Sequence, residues 1–372
     1  MENIKNLINP LEDGFTHPFE GEEHSGTIIL LPYREDTWEE HGLLAFKEYY
    51  ELIMSISNHE HVYVIKSPKV TYDISSLLNK TNISIHEIDY DDSWSRDNTL
   101  IFLRNKKNKI RAVDFGFNAW GGDVDGLYKP WDDDNNLGAK LSKLLNIETY
   151  RNKDFILEGG SINTNGKGTL ITTEACLLSK GRNSFLNKDE IEKHLKKMLG
   201  VEKVIWIPHG IVNDETNEHV DNMACFLDEK TVLLATSKDK NDQQYTWSMQ
   251  AKEILEKEIL PNGEKLRIIL INVPNPFLTL NHVEFLGIIK NDSNLCPHPE
   301  GDRLAASYVN FYMGKDYIIL PKFNVKEDQE AYDVLNQFYK GKKKIYQIES
   351  RKILVGGGNL HCVTMQIPKG DK

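Results

Sequence analysis

Short apolar runs rich in β-branched residues recur along the chain: GTIILLP, HVYVIKS, TLIFLR, GTLITT, KVIWIP, TVLLAT, RIILINV, YIILP and RKILVGGG. Their length and composition predict strands, because branched side chains suit a pleated backbone. Between several of them lie stretches with helical periodicity: TWEEHGLLAFKEYYELIMSI, NKDEIEKHLKKMLG, YTWSMQAKEILEKEIL and DQEAYDVLNQFYKG. The second of these opens at Asn187 with Glu190 three residues on, the pattern of a capping box, and stops at Gly200. Strands alternating with helices predict an α/β protein. No Pro-, Ser- or Gly-rich linker divides the chain, so a single domain over residues 1–372 is expected.

A weak repeat runs through this pattern. Asp97, Glu158 and His219 follow one another at intervals of 61 residues, each at or near the end of a predicted strand. Cys362 lies 143 residues beyond His219, about two such intervals. The spacing predicts about five β/α modules, each aiming a polar residue at a shared centre. Cys362 itself stands in GGGNLHCVTM, residues 356–365. Three consecutive glycines give up side-chain packing, which points to an unusual path or a close neighbour. The LHCVTM that follows alternates like a strand, which would turn His361 and Cys362 to opposite faces and argues against His361 as the partner of Cys362.

Composition narrows the function. Of 372 residues, 40% are hydrophobic and 27% charged, ordinary for a soluble globular protein, and the formal net charge is −11. That balance argues against nucleic acid or an anionic membrane as partner and favours cationic ligands. No apolar run approaches the roughly 18 residues that would span a bilayer. The stretch MENIKNLINPLEDGF lacks the charged and apolar regions of a secretion signal. Four scattered cysteines (176, 225, 296 and 362) fit reduced thiols in the cytoplasm better than a disulfide framework or a structural zinc site.

Four segments carry candidate chemistry: DDSWSRDN with Asp97, ILEGGSINTNGKGT with Glu158, NDETNEHVDN with His219 and Asp221, and the glycine–cysteine segment. Each has a plainer reading. Asp97 would serve as a turn residue or a partner of Arg96, His219 as a surface histidine among acids, and the glycines as a tight turn. Glu158, between an apolar run and two glycines, fits a solvated position poorly. If residues 219–221 are extended, His219 and Asp221 share a face.

Taken together, the four segments pose a conflict. A cysteine nucleophile must be a thiolate, yet a free thiol titrates near about 8.5. Asp97, Glu158 and Asp221 would repel a thiolate unless the substrate brings positive charge. A guanidinium does so; it is planar, always protonated, and gripped bidentately by carboxylates. Its central carbon would face the sulfur, and His219 would protonate departing ammonia and then activate water. Metal-dependent hydrolysis on His219, Asp221, Glu158 and Asp97 competes, but no H-x-x-x-H pair supports it. A nucleotide-binding module would draw on GGGN and GKGT; the latter lacks P-loop spacing and reads as a hairpin turn.

DGF near position 13, DDSWSRD, FNAWGG, GLYKPWD, LEGGSINTNGKGTLITTEACLL, GRN, DETNEHVDN, RLAASYVNFY and GGGNLHCVTMQ closely resemble the agmatine deiminases, in matching order from about residue 10 to 368. The resemblance implies the pentein fold, a five-bladed α/β propeller of ββαβ modules. It also implies hydrolysis of agmatine to N-carbamoylputrescine and ammonia without a metal or organic cofactor, in a cytoplasmic enzyme. By position, it makes Cys362 the nucleophile, His219 the general acid/base, Asp97 and Asp221 the guanidinium-binding pair, and Glu158 their support. A homo-oligomer, dimer or tetramer, is expected. Around the substrate, Trp94 and Trp120 would wall the four-carbon chain unless they are spent on core packing. Glu215 would add negative charge, and Gly357 and Gly358 would let the backbone approach a flat ligand. Arg96 should point away from Asp97. Two departures from the family's usual R-D-T-G-P and glycine-before-histidine patterns, Asn98-Thr99-Leu100 and Glu218, are expected beside the pocket. A bacterial-type peptidyl-arginine deiminase shares this core and is the alternative.

Overall fold

The apolar runs pair into five separate sheets, each assembled by the same local sequence of events. Around GKGT, the strands Ile162–Thr164 and Thr169–Thr173 form an antiparallel hairpin whose turn uses Gly166 and Gly168 at φ 67° and 86°. Such angles are open to glycine at little cost. The helix Lys188–Leu199 then returns the chain to Lys203–Ile207, which pairs parallel with the hairpin's second strand. That helix starts where the sequence said: Asn187 accepts from the Glu190 N–H and Glu190 reaches back to the Asn187 N–H. Its buried face is Ile191, Leu195, Met198 and Leu199, and Gly200 ends it at φ 62°.

The pattern of hairpin, helix and parallel strand repeats. Ala224–Phe226, Thr231–Thr236 and Arg267–Asn272 form one sheet through the helix Gln243–Lys257. Tyr312–Met313, Tyr317–Lys322 and Lys344–Glu349 form another through Glu327–Tyr339. Ile101–Asn105, Ile110–Gly116 and Thr149–Ile156 do so through Asp132–Leu145, with Phe15–Thr16 on the edge. The fifth sheet joins the two ends of the chain. Met365–Pro368 pairs antiparallel with His24–Leu30, and the helix Leu43–Ser57 leads on to the parallel Val62–Lys66 and Ile83–Glu87. The structure, a computed structural model, describes residues 9–371. The first eight residues of the stretch read for a secretion signal, and the outermost ends of the 1–372 span, lie outside the described residues. Among the described residues no helix is long and apolar enough to cross a membrane.

Two expected strands are absent, for physical reasons. RKILV folds as a helix, Arg351–Val355, because the Glu48 carboxylate accepts from the N–H groups of Lys352 and Ile353 at 3.0 and 2.9 Å, occupying donors that a sheet would have used. LHCV is a turn. Asn310 Oδ1 takes the N–H groups of His361 and Cys362 at 3.0 and 3.3 Å, and the ladder begins only at Met365. Residues 220–222 likewise form a single helical turn rather than extended chain.

Candidate active site

The 61-residue spacing corresponds to one structural position. Asp97 lies in the turn Ser95–Asn98 ahead of Ile101–Asn105. Glu158 precedes the turn Gly159–Ser161 ahead of Ile162–Thr164, and His219 precedes Val220–Asn222 ahead of Ala224–Phe226. Cys362 occupies the turn ahead of Met365–Pro368. Each stands just before the first, antiparallel strand of its sheet. In the remaining sheet that place is held by Asn310, before Tyr312–Met313.

These turns converge. A Cβ placed on Gly160 would stand 2.5 Å from His219 Nδ1, 2.9 Å from Asp97 Oδ1 and 3.0 Å from Asp221 Oδ2, so only glycine fits among them. The Gly160 N–H donates to Asp97 Oδ1 at 2.9 Å, and the Trp120 indole donates to Asp97 Oδ2 at 3.0 Å. Cys362 Sγ lies 3.1 Å from Asn310 Nδ2 and 3.5 Å from Asp221 Oδ2. His219 places Nδ1 3.8 Å from Asp97 Oδ2 and Nε2 4.0 Å from Glu158 Oε2. Arg182 donates through Nε to Glu158 Oε1 at 3.0 Å, with both side chains fully buried. Three polar atoms on this floor have no hydrogen-bond partner: Glu158 Oε2, Asp221 Oδ1 and His219 Nε2.

The electrostatics match the conflict read from the sequence. Burial, followed by the charges of Asp221 and Asp97, pushes the Cys362 thiol well above its ordinary value. Burial also raises Asp97 to about 6; Asp221 and Glu158 add to the rise, while His219 opposes it. Burial works against a charged His219, but Asp97, the neighbouring Cys176 thiol and Glu158 outweigh it and lift the imidazole to about 10. This floor holds three carboxylates close together and leaves open acceptors on Glu158 and Asp221. Among the described residues, the group of side chains close enough to share a metal ion is Glu158, Cys176 and His219, not the four-residue set considered from the sequence.

The chain that builds this arrangement has counterparts among known proteins. Residues 16–368 match the family of Porphyromonas-type peptidyl-arginine deiminases. The chain belongs to that family. It is 43% identical to a Listeria monocytogenes protein named "putative agmatine deiminase 2", over 99% of this chain and 98% of that one. The structure of an Enterococcus faecalis agmatine deiminase superposes with a TM-score of 0.91 at 34% identity, covering 98% of this chain and 99% of that one. A cysteine-to-serine variant of the C. jejuni agmatine deiminase with substrate bound is 28% identical, with a TM-score of 0.81 over 96% of this chain and 97% of that one. The fold is therefore the mixed α/β, pentein-like one of these deiminases.

Next to this deiminase-family site opens a pocket of about 620 Å³, counting its mouth, walled by Trp94, Trp120, Glu215 and Gly356. Cys362 and the carboxylates lie behind this lining, joined to it by the Trp120 bond to Asp97 and by Gly358, packed between Trp94 and Cys362. The three glycines now have reasons. A Cβ at Gly356 would strike the Trp38 ring at 2.6 Å, and one at Gly358 would meet Trp94 at 2.4 Å and Cys362 Sγ at 3.1 Å. At Gly357, φ is 113° and a Cβ would collide with the Glu215 carboxylate at 2.0 Å. Both tryptophans are buried and face the pocket, so core packing and pocket lining are not alternatives here. Trp94 stacks on Trp38 and donates to Asp92, while Trp120 reaches Asp97.

Several nominated residues turn out differently placed. Arg96 does point away from Asp97, toward Glu20 and Gln366, but from a helical turn rather than a strand. Asn98 faces inward to Asp92 and Asp134, not the pocket. Glu218 sits at φ 66°, in the left-handed region that favours the glycine it replaces; its carboxylate accepts from the Gly210 N–H and meets His209 instead. His361 and Cys362 do not lie on opposite faces of a strand: both side chains reach Asp221 Oδ2, His361 Nδ1 at 2.8 Å, although neither bonds the other directly.

Sequence reasoning passed over Asn310, Arg182 and the segment 280–298 that roofs the pocket. GRN and RLAASYVNFY contain the first two, and the double interval between His219 and Cys362 marks where an extra module residue should stand. The roof had no periodic signal. It brings Leu280, Phe285, Lys290 and His298 to the mouth, where His298 pairs with Glu215 and Asp302. Glu215 chiefly raises His298 to about 10 against the effect of burial, so the mouth carries a cation that the sequence did not lead one to expect.

Proposed function

We propose that this chain hydrolyses agmatine to N-carbamoylputrescine and ammonia through a covalent amidino-cysteine intermediate, with Cys362 as nucleophile and His219 as general acid/base. The observation that carries the reading is the set of open, buried acceptors, Glu158 Oε2 and Asp221 Oδ1, around a thiol held protonated by its surroundings. A guanidinium meets both needs. Its N–H groups would satisfy the acceptors with charge-assisted hydrogen bonds of about 1.5–3 kcal/mol each, and its charge would lower the cost of the thiolate. As the guanidinium binds, the Cys362 proton is released to solvent, and the thiolate sulfur then adds to the guanidinium carbon. The adduct expels one nitrogen, which takes a proton from His219 and leaves as ammonia. His219 next takes a proton from water as its oxygen adds to the amidino carbon. The C–S bond breaks, and the ureido product leaves with the thiol restored.

Asp97 and Asp221 grip the guanidinium, and Glu158, tied down by Arg182, supports His219. Trp94 and Trp120 wall the alkyl chain, Glu215 adds negative charge at the mouth, and Gly357 and Gly358 leave room for the flat end of the ligand. The five sheets act as blades of one five-bladed propeller of ββαβ modules, and the chain as one catalytic domain. In the cell it works as a cytoplasmic homo-oligomer, dimer or tetramer. The relatives named agmatine deiminases support the substrate; at the mouth, Glu215 is paired with the His298 cation, which offsets its repulsion of free arginine's carboxylate.

Colorimetry of the ureido product, run with agmatine, arginine and a blocked arginyl peptide side by side, tests this reading. Agmatine should exceed arginine in kcat/KM by at least about a hundredfold, and a chelator should change nothing. Comparable turnover of arginine, or preference for the peptide, would overturn the substrate while leaving the chemistry standing.

A further inference from the structure

Behind Asp221, on the side away from the pocket mouth, a second buried network is tied to the reacting thiol. His361 Nδ1 lies 2.8 Å from Asp221 Oδ2, and its Nε2 lies 3.0 Å from each Glu20 oxygen. Glu20 in turn pairs with Arg96 Nη1 at 3.1 Å. His361, Asp221 and Arg96 are all less than 5% exposed. A carboxylate only accepts hydrogen bonds, and a neutral imidazole has one N–H. A ring whose two nitrogens both face carboxylates is satisfied when both carry protons.

We infer that His361 is a positioning residue of the reaction, an imidazolium clamped between Glu20 and Asp221 that fixes Asp221 for the guanidinium. The clamp occupies Asp221 Oδ2, which also lies against Cys362 Sγ, and leaves Asp221 Oδ1 as the open acceptor. It also supplies the floor with a positive charge that never enters the pocket, so that adjacent Asp97 and Asp221 can share a ligand. Burial and Arg96 work against the charge on His361, and Glu20 and Asp221 outweigh them, so the imidazole titrates above the usual histidine value. His17, on the far side of Glu20, is held at about 4, mainly by burial, and stays neutral. The backbone is clamped as well: Arg96 donates through Nε to the His361 carbonyl at 3.3 Å and through its own N–H to the Cys362 carbonyl at 3.0 Å. The network thus couples the placement of the nucleophile to that of its neighbouring carboxylate.

The inference rests on Asp221 gripping a guanidinium, and binding separates the two. Agmatine is titrated by calorimetry into the Cys362→Ser parent, then into the same chain carrying His361→Gln or Glu20→Gln, between pH 5.5 and 8.5. The parent should bind with an acid limb near pH 6, set by Asp97. His361→Gln should weaken binding at pH 8 by about tenfold or more and move the acid limb up by about one pH unit, because losing a nearby cation makes Asp97 easier to protonate. Glu20→Gln, remote from the ligand, should move the limb the same way by less, and it carries the test should His361→Gln fail to fold. A merely structural role would lower affinity equally at every pH. Unchanged affinity, or loss without a shifted limb in the variant that folds, overturns the clamp. Failure of the parent to bind agmatine overturns the substrate reading and the clamp with it.

Discussion

Two clusters of buried carboxylates lie on either side of Trp94, and their hydrogen bonding differs. In one, Asp92 accepts from the Trp38 and Trp94 indoles and the Ser93 N–H at 2.7, 2.9 and 2.8 Å. Asp134 accepts from the N–H groups of Asp91 and Asp92, from Asn98 Nδ2 at 2.9 Å and from the Tyr128 hydroxyl. Every oxygen of these two acids is supplied by the protein. In the other, around Cys362, Glu158 Oε2 and Asp221 Oδ1 are equally buried and have no donor. An unpaired buried acceptor costs about 1–3 kcal/mol. A fold that fills one cluster and leaves the other open stores part of its binding capacity in the second. Saturated acids hold the architecture, and open ones wait for a cation.

The sharpest break of that comparison is at the thiol that the open cluster surrounds. Cys362→Ser should lower turnover of agmatine by at least about a thousandfold while the melting temperature stays put, because the nucleophile is lost and no structural hydrogen bond goes with it. Activity within tenfold of wild type would sink the assignment. The clusters themselves should respond differently to loss of charge. Asp221→Asn should weaken agmatine binding by roughly ten- to a hundredfold, the worth of a charge-assisted contact, with a smaller stability loss than the saturated cluster shows. The amide oxygen can keep the His361 hydrogen bond while the nitrogen replaces the open Oδ1. Asp134→Asn should instead lower unfolding free energy by about 1–3 kcal/mol, since its amide nitrogen faces donors. Denaturation curves and calorimetry on both variants decide, and equal stability losses would erase the distinction.

A smaller, graded effect concerns pH. Asp97 binds the cation only when ionised and, lifted to about 6, takes up its proton as pH falls through that value. Agmatine's kcat/KM should therefore fall below about pH 6, which a pH–rate profile measures; a flat profile down to pH 5 would contradict it. Least affected should be Glu218→Gly. Relief at φ 66° offsets the lost carboxylate contact to Gly210, so stability should stay within about 1 kcal/mol and kcat/KM within a few-fold of wild type.

Much of this molecule was legible in the chain. The Asn187 cap, the Gly200 stop and the GKGT hairpin are encoded within a few residues, where side-chain oxygens and glycine φ values act on their own neighbours. The 61-residue spacing of Asp97, Glu158 and His219 was legible too, because each repeat builds the same turn before the same strand. So was the conflict between a thiol and surrounding acids, which follows from charge alone. Distance in sequence hid the rest. RKILV became a helix because Glu48, 304 residues earlier, caps it, and LHCV became a turn because Asn310, 51 residues earlier, takes its N–H groups. The roof segment widened the interval before Asn310 and concealed the fourth module's residue. No local pattern tells a saturated carboxylate from an open one, or brings His361 to Asp221 across 140 residues. Periodicity records what each segment prefers, whereas hydrogen-bond satisfaction in a dry interior depends on which distant donors arrive, and only the packed fold fixes those.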